Sequence, residues 1–111
     1  MMTESNLPLS EQFRLVARQW VEADKAASLL EETKSANISQ MMIKVLEENP
    51  ALAVNKIEMV VKSSQEYKDF ITKMVDLRSK ANLLKVKMEF IRMRFQEFMS
   101  KEATARAESR L

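Results

Sequence analysis

The chain contains no histidine, no cysteine and no glycine, and only two prolines in 111 residues. Without histidine it lacks the usual general base and the commonest transition-metal ligand. Without cysteine it has no disulfide, thiolate nucleophile or zinc knuckle, and the redox compartment is not legible. The missing glycines exclude more. Phosphate-cradling loops, tight hairpins and nucleotide-binding turns need backbone at positive φ or close backbone approach, for which glycine is the default. A helical chain does without it. Long hydrophobic runs are also missing: none approaches the ~20 residues of a membrane span, and MMTESNLPLSEQ has no signal-peptide pattern. These absences lead us to expect an intracellular, soluble, all-helical protein.

What remains for catalysis is carboxylate, Lys, Tyr67, Ser and Thr. The adjacent pairs Glu31 and Glu32, or Glu47 and Glu48, suit metal ligation in principle. Carboxylate sites in helical bundles, however, place Glu-x-x-His motifs on facing helices, and this chain has no such motif. A catalytic acid–base pair also needs a concave pocket, which a thin helical hairpin does not offer. We therefore expect no catalytic residue, no metal and no cofactor.

A content of 46% hydrophobic and 31% charged residues is that of a folded protein, and the length favours one domain. Net charge is only +2, but it is unevenly spread. Residues 1–63 carry seven Lys/Arg against nine Asp/Glu, and residues 64–111 carry eleven against seven.

The prolines punctuate the chain at positions 8 and 50. After a flexible N-terminus over residues 1–9, strong helix formers run without a breaker across 10–47, with Pro8 suited to a first turn and Ser10 an alternative N-cap. The apolar spacing is Phe13, Val16, Trp20, Ala23, Ala27, Leu30, Ile38, Met41 and Val45. It alternates three and four, with a stutter at the polar interruption 34–37. Asn49-Pro50 ends this helix, because the residue before proline is pushed out of the α region. Within the connection 48–63, Asn55 with Glu58 and Ser63 with Glu66 both resemble capping boxes, giving a short helix at about 56–62 and a restart at 64. A strand around Val60-Val61 is the rival, but it would have no partner.

From 64 to about 107 the heptad is close to unbroken. One core position reads Tyr67, Met74, Ala81, Met88, Phe95 and the other reads Phe70, Leu77, Leu84, Ile91, Phe98. Such a helix would be about 65 Å long and cannot bury its seam on itself. Folded back on the first helix it makes an antiparallel, coiled-coil-like hairpin of two long helices with a short middle helix, in which paired residue numbers sum to about 111. That register sets Trp20 beside Ile91, Ala23 beside Met88, Ala27 beside Leu84, Leu30 beside Ala81 and Phe13 beside Phe98, so that large residues mostly meet small ones.

A second seam, Leu83, Val86, Phe90 and Met93, lies on nearly the opposite face. Its exposure would mark an interaction site. Either the 56–62 helix with Ile57, Val60 and Val61 folds over it, or a second chain does, making a homo-oligomeric helical bundle. Beside the seams runs a basic stripe of Arg78, Lys80, Lys85, Lys87, Arg92 and Arg94, interrupted by one acid, Glu89. It could track a phosphate backbone, but the plainer reading is a solvated face. The register places Glu22, Asp24, Glu31 and Glu32 at this level, where they would neutralise part of it. Phe90, Phe95 and Phe98 interleave with Arg92 and Arg94 as in a base-stacking platform. The heptad instead makes Phe95 and Phe98 core and Phe90 an interface residue.

The opening NLPLSEQFRLVARQWVEADKAASLLEETKS and the segment ANLLKVKMEFIRMRFQEFMSKEATARAESRL resemble small all-helical proteins of the early, recombination-associated regions of tailed bacteriophages. The resemblance spans nearly the whole chain and carries no catalytic motif. It implies a host-cytoplasmic, non-enzymatic accessory role near DNA recombination or replication. Two classes of function remain open. The first is DNA association through the basic helical face. The second is a protein-binding adaptor or inhibitor of a host or phage DNA-processing enzyme, acting through the Leu83–Met93 seam.

Overall fold

The computed structural model describes residues 6–110. They form three helices, α1 (Leu9–Glu48), α2 (Val54–Ser63) and α3 (Gln65–Ser109), and no strand is found among them. The architecture is the expected one, an all-α hairpin of two long helices with a short middle helix. Contacts gather in two compact units, one of the residues up to Glu22 with those from Lys80 onward, the other of Ala23–Ser79. The flexible segment expected over residues 1–9 falls outside the described residues at 1–5. Leu7 is half-buried, and its carbonyl accepts a hydrogen bond from Gln12 Nε2 at 2.7 Å.

In the Ala23–Ser79 unit, Ala23, Ala27 and Met41 of α1 and Ile57 and Val61 of α2 are buried. Tyr67, Phe70, Met74 and Leu77 of α3 are half-buried. The polar interruption in α1 does not break it. Thr33 Oγ1 donates to the Leu29 carbonyl at 2.7 Å and Asn37 Nδ2 to the Thr33 carbonyl at 3.0 Å, so both side chains find partners without leaving the helix. Lys44 with Glu66 and Arg78 with Glu31 show the antiparallel order, later residues of α1 meeting earlier residues of α3.

The junctions differ from the capping boxes read in the sequence. Helix α2 starts at Val54 behind an extended Ala53 whose side chain makes no cap. The Ala53 carbonyl takes both the Lys56 and Ile57 amides at 3.0 Å, which puts Asn55 inside the first turn, where its Oδ1 accepts only from the neighbouring Lys56 N–H. The second cap is Ser64 rather than Ser63. Ser64 is extended, at φ −73° and ψ 151°, and its Oγ accepts from the Tyr67 N–H at 3.2 Å while donating to the Val61 carbonyl at 2.6 Å. One hydroxyl therefore closes α2 and opens α3. Ser63 still belongs to α2 and bonds back to Met59 and Val60.

In the other unit Val16 of α1 and Ala81 and Ile91 of α3 are buried, with Phe13, Trp20, Leu84 and Met88 half-buried. The seam ends there. Phe95 and Phe98, expected as core, are 45% and 52% exposed. Helix α1 begins only at Leu9, so at their level they have the first residues of α1 and the segment before it for cover. With Leu7, Pro8, Leu9, Ser10, Gln12 and Arg94 they line an open groove of about 470 Å³.

Candidate functional site

The outward face of α3 follows from helical geometry. Residues three and four apart share a face, so Leu83, Val86, Phe90 and Met93 align in one row, while Ala81, Leu84, Met88 and Ile91 align in another almost opposite. Ala81 and Ile91 are 0% and 5% exposed; Leu83, Val86, Phe90 and Met93 are 71%, 65%, 57% and 53% exposed. A helix that buries one apolar stripe is ordinary. This one carries a second apolar stripe in solvent, four large side chains each more than half exposed, and exposed apolar patches of this kind mark interaction sites.

Of the short middle helix, Ile57 and Val61 are buried within the Ala23–Ser79 unit, and Val60 is exposed. Ile57 also lines a separate apolar groove of about 270 Å³ with Ser39, Met42, Ile43, Leu46 and Val54. The sequence reading did not identify this groove. Its signal was present in Met42, Ile43 and Leu46, apolar residues lying off the α1 seam.

The six basic candidates are not one surface. Arg78 is half-buried and engaged within its own unit. It donates to Asp24 Oδ1 at 2.7 Å, to both carboxylate oxygens of Glu31 at 2.7 and 2.9 Å, and to Ser28 Oγ at 3.2 Å. The bond to the Arg78 guanidinium holds the Glu31 carboxyl below the usual carboxylate range, and the same carboxylates hold Arg78 protonated. The register anticipated the two acids; Ser28 was not anticipated. Lys80, Lys85, Lys87, Arg92 and Arg94 are all exposed. Helical spacing divides them: Lys80, Lys87 and Arg94 lie on one flank of the buried seam, Lys85 and Arg92 on the other. Arg92 pairs with Glu89 one turn earlier.

Among the described residues no cluster of acidic side chains is arranged to hold a metal ion. No helix among the described residues is long and apolar enough to cross a membrane. No protein family, curated protein or solved structure matches the chain.

Proposed function

We propose that this protein is a non-enzymatic helical docking module that holds another protein against the outer row of α3. The observation that carries the reading is the exposure of Leu83, Val86, Phe90 and Met93 in line, on the face opposite the buried Ala81 and Ile91. Water is a poor neighbour for four large apolar side chains in a row, and covering them is favourable at roughly 25 cal/mol per Å². In the setting implied by the phage resemblance, the partner is a host or phage DNA-processing protein in the host cytoplasm, with this chain its adaptor or inhibitor.

DNA association remains as a second reading, supported by the exposed flank of Lys80, Lys87 and Arg94. Its support is narrower than the sequence alone implied. Arg78 is occupied by three acceptors, and the remaining cations are divided between two flanks.

A photo-crosslinking residue placed at Val86 tests the docking reading in cells that express the partner. The expected result is a protein adduct that disappears when Phe90→Glu and Met93→Glu are added, because uncompensated charge is costly in a buried apolar interface. An adduct unaffected by those changes, or one formed only with DNA, rejects it.

A further inference from the structure

The outer row has two flanks of different charge, and the difference selects its partner. The residues following the two apolar pairs are Lys87 and Arg94, with Lys80 ahead of the row and Lys101 one heptad beyond Arg94, all basic and all exposed. On the opposite flank stand Asn82, Glu89 and Gln96, two amides and one acid that already pairs with Arg92. The row itself stops at Glu97, four positions after Met93. From this asymmetry we infer that the occupant is an amphipathic helix of another protein carrying acidic side chains along one edge of its apolar stripe. This rests on the docking role proposed above.

The alternatives fit less well on the same residues. In an antiparallel pair of copies each flank faces its own counterpart, which would set the row of four cations against itself. A parallel pair would bring Glu89 opposite the partner's Arg94, but Lys87 and Lys101 would face only the amides of Asn82 and Gln96. An anionic membrane surface favours cations on both sides of the apolar stripe. Here the residues bordering one side are Asn82, Glu89 and Gln96, with Lys85 and Arg92 only beyond them toward the buried seam, and Glu97 lies in line with the stripe. An acidic edge on a partner helix faces the basic flank along its length and makes no demand on the neutral flank.

The test uses the full chain and two short designed helical peptides with the same Leu/Met stripe, one with Glu and the other with Lys along one edge. Binding is followed by fluorescence anisotropy, with sedimentation of the protein alone and phosphatidylserine vesicles as parallel arms. The expected result is that the Glu peptide binds about tenfold tighter than the Lys peptide and loses that advantage in high salt. Arg94→Glu with Lys101→Glu, both on exposed positions, should abolish the preference, because two cations and two carboxylates then share the flank. Phe90→Glu with Met93→Glu should remove binding of either peptide, while far-UV circular dichroism confirms that the helices remain.

Equal affinity for the two peptides, with binding still lost in the Phe90/Met93 variant, overturns the acidic partner and keeps the docking row. Binding that survives the Phe90/Met93 changes overturns the docking row as well. Failure of both peptides to bind overturns the inference. So does seam-dependent self-association of the protein alone, or seam-dependent capture by the vesicles without the peptides.

Discussion

Arg78 clasps Glu31, forty-seven positions earlier, with two parallel hydrogen bonds of 2.7 and 2.9 Å. The planar guanidinium matches the carboxylate fork, and its remaining donors reach Asp24 and Ser28 on the same helix. The arrangement ties α3 to two turns of α1 at one side chain. It also removes Arg78 from the set of cations open to a ligand.

Because the Arg78 bond lowers the Glu31 pKa, Glu31 contributes stability while it is ionised. That contribution is complete above the ordinary carboxylate pKa and is lost as pH falls through the lowered folded value. Urea unfolding of the parent and Glu31→Gln should therefore differ by a constant amount from neutral pH down to about pH 5 and converge below it. A gap that widens on acidification would contradict the sign.

Neighbouring residues on α3 should respond oppositely to truncation. Ile91 is 5% exposed and Phe90 57% exposed. Ile91→Ala should cost about 2–5 kcal/mol in urea unfolding, and Phe90→Ala about 0.5 kcal/mol or less in the protein alone. Similar losses from both would mean that the two faces are not distinguished as described.

Ala27 and Ala81 are fully buried, each in its own unit. Neither side chain has solvent beside it into which a larger one could turn. Ala27→Leu or Ala81→Leu should destabilise by about 1–3 kcal/mol through overpacking, read from the urea midpoint at unchanged slope. Neutral behaviour at either position would indicate a loose core.

The α2–α3 junction predicts a contrast between adjacent serines. Ser64→Ala removes the hydroxyl that accepts from the Tyr67 N–H and should cost about 0.5–2 kcal/mol. Ser63→Ala removes only bonds back to carbonyls within α2 and should stay within about 0.5 kcal/mol of the parent. Thermal unfolding of the two variants side by side gives the answer.

The two long helices and their inward stripes were legible before any coordinates. Helix propensity, the Asn49-Pro50 break and the three-and-four spacing are local properties, and periodicity converts directly into a buried face. For the same reason the outer row Leu83–Met93 was visible as a surplus stripe. Tertiary structure decided the rest, where the outcome depended on which groups compete for one position. Ser63 and Ser64 both offer a hydroxyl, and only the extended backbone at Ser64 aims one at the free Tyr67 amide. Phe95 and Phe98 satisfy the heptad, yet they remain half in solvent because their burial depends on where α1 begins, which no property of α3 encodes. Arg78 looked like one cation among six until the fold set Asp24, Ser28 and Glu31 within reach of its guanidinium. A period can be read along one strand of sequence; a partner is supplied by another part of the chain.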